Sequence, residues 1–122
     1  MYVGGNKMNV LPNAEKAIIP IIKFTQYALH PIKSKGKSVV FEKKLGYNIN
    51  NANKLIENIR RNIINFEAFP KGDDGFGMRY QIDMLLIGEN GQTANVRTGW
   101  IIDNTTNATR LTSAYIKKKG RR

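Results

Sequence analysis

MRYQIDMLLI (residues 78–87) and TANVRTGWII (residues 93–102), separated by GENGQ, decide the fold. In the first segment Met78, Tyr80, Ile82, Met84 and Leu86 alternate with Arg79, Gln81 and Asp83. A period of two is the mark of a strand with one wet face. In the second, Val96, Thr98, Trp100 and Ile102 fall on one side, and Asn95, Arg97 and Gly99 on the other. Glu89-Asn90-Gly91 between them predicts a hairpin, because Asn-Gly supplies the positive φ such a turn needs. DNTTNAT (residues 103–109) reads as a second turn, and RLTSAYI as a further strand. There Leu111, Ser113 and Tyr115 are expected opposite Arg110, Thr112 and Ala114.

Upstream, FEAF (residues 66–69) predicts a first strand, followed by a PKGDDGFG loop. Before it the period becomes helical. Ala52, Leu55, Ile56, Ile59, Ile63 and Ile64 recur at helix spacing behind Asn50 or Asn51 as cap, with Lys54, Glu57, Asn58, Arg61 and Asn62 on the wet face. IIKFTQYAL (residues 21–29) predicts an earlier helix bounded by Pro20 and Pro31. His30–Ser38 reads as a basic loop, and SVVF (residues 38–41) as a short extended piece. Helices followed by a run of antiparallel strands predict an α+β fold, with N-terminal helices packed on one face of a four-stranded antiparallel sheet. Residues 1–12 read as a linker or arm, 13–116 as a single domain and 117–122 as a basic tail.

Composition narrows the function. The 122 residues carry 20 Lys and Arg against 9 Asp and Glu, a formal charge of +11. So basic a surface suits a polyanion, nucleic acid first, with anionic membrane or an acidic protein as alternatives. The chain has no cysteine and one histidine. That excludes disulfide staples and thiolate zinc sites and leaves no cluster for a metal. The apolar runs Ala17–Ile22 and Met84–Ile87 fall far short of the roughly 20 residues of a membrane span. The first ten residues lack a secretory apolar run. No phosphate-cradling glycine loop, dinucleotide fingerprint or nucleophile elbow is present.

With the apolar sets turned to the helices, Arg79, Gln81, Asp83, Asn95, Arg97, Arg110 and Thr112 share the opposite face. A polar outer face is ordinary for an antiparallel sheet. This one has more arginine than acid, and guanidinium forks match phosphate oxygens two at a time. Cleaving RNA without a metal needs a base for the 2′-hydroxyl, an acid for the 5′-oxygen and cations for the phosphorane. His30 suits proton transfer near neutral pH. Lys37 and Tyr115 are the other candidates.

GMRYQIDMLLIGENGQTANVRTGWIID…RLTSAYI, preceded by KFTQYALHP…GKSVVFEKKLGY, resembles the C-terminal toxin domains of bacterial polymorphic and contact-dependent inhibition systems. Their G-x-x-Y, G-x-N-G, V-R-T-x-W-I-I and R-L-x-T-A-Y elements are matched across residues 11–116. The order of elements also resembles the barnase–EndoU–colicin–RelE class of metal-independent ribonucleases, whose active site lies on the open sheet face. The resemblance implies an endoribonuclease without cofactor, cutting RNA (tRNA among the candidates) to a cyclic phosphate. It points to Lys37, Arg97, Thr98, Arg110, Thr112 and Tyr115, whereas His30, Arg79 and Lys35 come from the reading of the residues alone. Together they give Arg97, Thr112, Lys37, His30 and Tyr115 as catalytic candidates, and Arg79, Arg110, Thr98, Ser113 and Lys35 as RNA-binding candidates. Family members often read R-L-x-T-A-Y-P. Here Ser113 precedes Ala114 and Ile116 follows Tyr115, so Thr112 and Ser113 both stand for the hydroxyl. The implied partners are RNA, an acidic immunity protein and, as a further candidate, a host translation factor. The implied setting is a larger delivered toxin acting in the target-cell cytoplasm. A non-catalytic nucleic-acid-binding module and a phage- or secretion-associated interaction domain are the competing readings.

Overall fold

A computed structural model describes residues 8–118. The first seven residues of the expected arm and the last four of the expected tail lie outside the described residues. Two helices, α1 (Lys35–Leu45) and α2 (Ala52–Asn62), precede four strands: β1 (Ala68–Asp73), β2 (Gly77–Ile87), β3 (Thr93–Asp103) and β4 (Thr109–Ile116). The strands form one antiparallel sheet in chain order. The fold is therefore α+β, with the helices on one sheet face.

α1 replaces the later part of the expected loop and the extended piece, residues 35–41, while residues 31–34 do form turns. Val39-Val40 favours a strand locally, but Ser38, Phe41 and Leu45 are buried at helical spacing, and that burial overrides propensity. Gly46 ends the helix at φ 78°, its N–H donating to the Glu42 carbonyl. The Leu45 carbonyl then accepts from the Glu89 N–H (2.8 Å), docking the helix end on the β2–β3 turn. At Gly88 a Cβ would collide with that same carbonyl.

Asn51 is the N-cap position of α2, as expected, but the capping hydrogen bonds are made on the short 3-10 turn Ile49–Asn51 before it. Asn48 Oδ1 accepts from the Asn50 N–H, and Asn51 Oδ1 accepts from the Asn48 N–H, a reciprocal box one turn upstream. Leu55, Ile59 and Ile63 are buried, whereas Ile64 is exposed. Asn58, expected on the wet face, is buried instead. Its Nδ2 donates to the Tyr47 hydroxyl and to the Ile87 carbonyl, both at 2.9 Å, so its polarity is satisfied.

The core joins Phe24, Phe41, Leu45, Leu55 and Ile59 to Ile82, Met84, Leu86, Val96, Trp100 and Leu111 of the sheet. Each such buried side chain contributes roughly 1.5–3 kcal/mol. The segment from residue 9 onward is docked rather than loose. Asn9 bonds Glu67 and Ala68, Leu11 is buried, and Pro12 accepts from the Thr109 hydroxyl. Ile18 makes a parallel bridge with Arg110 that covers part of the β4 edge. The helix after Pro20 is a short π-type turn, Phe24–Ala28.

Candidate functional site

Cross-strand partners share a sheet face, so the register assigns the face that the helices leave bare. Asp83 pairs with Arg97, Gln81 with Gly99, and Arg79 with Ile101. Across the next seam Arg97 pairs with Tyr115, Gly99 with Ser113, and Ile101 with Arg110. Arg79, Arg97 and Arg110 therefore lie on one side, as alternation predicted.

Thr112 interrupts the ladder. Trp100 pairs with Leu111 while Gly99 pairs with Ser113, which leaves Thr112 as the extra residue of a β-bulge. One inserted residue moves everything after it to the other face. Ser113 and Tyr115 thus join the arginines, and Ala114 turns to the core, the reverse of the expected alternation. Both hydroxyls of the Thr112-Ser113 pair are brought to the same place. A Cβ on Gly99 would lie 2.8 Å from Ser113 Oγ and 3.1 Å from Thr112 Oγ1. The bare glycine is the floor beneath them.

Arg97 is held rigidly. Its Nε donates to Asp83 Oδ1 (2.8 Å) and its Nη2 to Asp83 Oδ2 (3.0 Å). Lys117 Nζ stands 3.7 Å from the same carboxylate, so the first residue of the expected tail belongs to the site. The hydrogen bond from Arg97, with Lys117 adding charge, holds Asp83 below the usual carboxylate range. Asp83 first, and the Tyr115 hydroxyl second, push Arg97 above its own. A guanidinium has five N–H donors. Asp83 takes two along one edge and the Tyr115 hydroxyl stands against another, which leaves the remaining N–H donors for a ligand. Lys37, carried by α1, places its Nζ 5.3 Å from the centre of the Tyr115 ring.

The other two arginines also meet acid. Arg79 Nε donates to Asp74 (2.8 Å), and Arg110 Nη2 reaches Asp103 at 3.5 Å. Asp74 is held low chiefly by the Phe76 N–H, and Asp103 by the Thr105 and Thr106 N–H groups. Each of the three arginines thus faces an aspartate, although the strand pattern placed only Asp83 among them. Asp74 comes from the β1–β2 turn, and Asp103 is the last residue of β3, where the sequence already reads as a turn.

Three candidates fall elsewhere. Thr98 is fully buried, its hydroxyl donating to the Ile82 carbonyl (2.9 Å) and accepting from Trp100 Nε1 (2.8 Å). It cannot touch a ligand on the bare face. His30 Nδ1 accepts the Ile32 and Lys33 N–H groups (3.2 and 3.1 Å), the work of a turn residue. No hydrogen bond among the described residues ties it to the sheet face. Lys35 is exposed at the first turn of α1.

A family model described as Domain of unknown function (DUF6883) matches residues 10–118. The chain belongs to this family. The match to DUF6883 takes in both helices and all four strands, including every residue of the Arg97–Tyr115 patch. No curated protein and no solved structure matches the chain. Among the described residues of this DUF6883 domain, no three His, Asp or Glu side chains gather as metal ligands. The oriented guanidinium edge, the phenol, the ammonium and the two hydroxyls can bind a tetrahedral oxyanion and exchange a proton with it.

Proposed function

We propose that this domain is a metal-independent endoribonuclease of the toxin type, working on the bare sheet face. One observation carries the reading: Arg97 is fixed by a two-point bond to Asp83 while its remaining donors, Tyr115 and Lys37 share one open patch. Donors held in place before the substrate arrives are what stabilise developing charge.

In this reading Arg97 binds the non-bridging oxygens of one phosphodiester. The 2′-hydroxyl attacks phosphorus and loses its proton, and the bond to the 5′-oxygen breaks as that oxygen gains one. The products are a 2′,3′-cyclic phosphate and a 5′-hydroxyl. Tyr115 exchanges a proton with a reacting oxygen, Lys37 adds positive charge, and Ser113 or Thr112 orients an oxygen above Gly99. Asp83, held low by Arg97 and Lys117, is the positioning residue and a poor base. The placement of His30 in its own turn favours Tyr115 over it. The resemblance of the sequence to delivered bacterial toxins supports RNA, tRNA included, as substrate in a target-cell cytoplasm. It also supports an acidic immunity protein as the partner that covers this face.

The three arginine–aspartate pairs favour a second reading, a nucleic-acid-binding module without catalysis. Incubating purified protein with total RNA in chelator separates the two. Cleavage with cyclic-phosphate ends is expected, falling about 100- to 1,000-fold in Arg97→Ala, as for loss of one oxyanion donor. Arg97→Ala should melt within a few degrees of the parent. RNA left intact by excess protein, yet bound in a salt-sensitive manner, would favour the second reading.

A further inference from the structure

Beyond the Arg97–Tyr115 patch, the same sheet face ends in a cleft of about 360 Å³. Ile101 forms its buried floor, and Lys23, Arg79, Arg110, Asp103 and Thr112 line it. Its rim carries Phe76, a residue 74 % exposed. The ring is exposed but its backbone is fixed. The Gly75 and Phe76 N–H groups donate to Asp73 and Asp74 (2.8 and 3.0 Å). From the β3–β4 turn, Asn104 donates its N–H to the Phe76 carbonyl (2.9 Å) and its Nδ2 to the Gly75 carbonyl (3.1 Å). A hydrogen-bonded loop thus presents an aromatic face to solvent beside three cations.

We propose that this cleft is a nucleotide subsite for single-stranded RNA, with a base stacked on Phe76 and the adjoining phosphate held by Lys23, Arg79 and Arg110. The inference rests on the ribonuclease reading for its choice of RNA. Its physical grounds are separate. An exposed aromatic beside a basic groove is how proteins hold unpaired strands, because every base has a face to stack. The cleft lining carries three cations against Asp103. Asp74 takes only the Nε of Arg79, and Asp103 reaches Arg110 at a long 3.5 Å, so both guanidinium groups keep free donors. Pre-fixing the loop removes an ordering cost from binding. Thr112 belongs to both places, its hydroxyl over Gly99 and its side chain on the cleft. Arg97 and Ile101 are four positions apart on β3, roughly 13 Å at about 3.3 Å per residue. A short run of nucleotides spans that distance from the proposed cut to the stacked base.

The test uses the whole chain and a 2′-O-methyl oligoribonucleotide carrying 2-aminopurine, which cannot be cleaved because its nucleophile is blocked. The parent should bind and quench the fluorophore. Phe76→Ala should abolish the quench and weaken binding roughly ten-fold, the scale of one base–aromatic stack. Phe76→Trp should restore both. Lys23→Gln should weaken binding and flatten its salt dependence. The Phe76 ring supports no core, so the melting temperature should not move. Binding and quenching by Phe76→Ala equal to the parent's would overturn the subsite, even if RNA is cut elsewhere on the face. Phe76-dependent quenching by a protein that cuts no RNA would leave the subsite standing and remove the ribonuclease reading.

Discussion

Thr98→Val separates a buried structural hydroxyl from a catalytic one. The Thr98 hydroxyl sits between the Ile82 carbonyl and the Trp100 indole N–H, and none of these groups meets water. Valine keeps the shape and exchanges the hydroxyl for a methyl. The indole N–H is then left without an acceptor in an apolar core, which costs about 1–3 kcal/mol. The added methyl recovers at most about 0.8 kcal/mol. A net loss of about 1 kcal/mol results, a fall in melting temperature of roughly 3–6 °C for a domain of this size. Circular-dichroism melts measure it, with RNA cleavage assayed well below either midpoint. Cleavage should be unchanged there, because Thr98 faces away from the bare side of the sheet. In a Trp100→Phe background the cost of Thr98→Val should shrink by about 1 kcal/mol or more, since no indole N–H remains to be orphaned. Thr98→Val that melts with the parent but has lost cleavage would refute this placement and return the hydroxyl to the substrate.

Gly99→Ala should leave the melting temperature within a few degrees, because its new methyl meets only rotatable hydroxyls at 2.8 and 3.1 Å, yet lower cleavage by displacing Ser113 and Thr112; unchanged cleavage would dissociate those hydroxyls from the reaction. Asp74, Asp83 and Asp103 all titrate below their ordinary 3.8 in the folded state, so the unfolded chain binds more protons near that pH. The stability they contribute is complete above about pH 5 and is lost as the pH falls through the folded-state values, so melts at about pH 3 should be lower than at about pH 5, and less so in Asp83→Asn. Asp83→Asn should bind uncleavable RNA at least as tightly as the parent, having one negative charge fewer, while kcat falls on the order of ten-fold or more as Arg97 loses its two-point hold. Unchanged kcat there would remove the positioning role of Asp83.

The hairpin was legible because two independent signals agree: alternation over Met78–Leu86 and Val96–Ile102, and Asn90-Gly91 between them, with Gly91 at φ 81°. The far half of β4 was not. A bulge adds one residue without changing composition, so alternation past Leu111 assigned Ser113 and Tyr115 to the wrong face. α1 was missed because two adjacent valines speak locally for a strand, while the evidence for a helix lies in what Phe41 and Leu45 meet across the fold. Asn58 was misplaced for the opposite reason, a polar side chain made tolerable inside by Tyr47 and Ile87. In the site, strand alternation found Arg79, Arg97 and Arg110 together. It could not find Asp74, which reaches Arg79 from a turn, nor Asp103, which ends β3 although its neighbours read as a turn, nor the Lys37–Tyr115 contact, which needs α1. Phe76 carried no sequence signal beyond an aromatic in a glycine-rich loop.

The pairing of charges divides the labour on the bare face. Three of the chain's nine carboxylates stand against arginines of the sheet, so those arginines add little to the long-range field. The excess of positive charge that draws a polyanion is therefore carried largely by lysines such as Lys23 and Lys37. An arginine already paired offers something different: donors at fixed positions, on a group whose orientation has been settled before any phosphate arrives. Lysines govern encounter and its salt dependence, and the arginine–aspartate pairs govern geometry. Removing a lysine should then slow association and flatten the salt response. Removing Arg97 leaves Asp83 uncompensated by a guanidinium, so it should slow association as removing one lysine does and cost the chemistry as well.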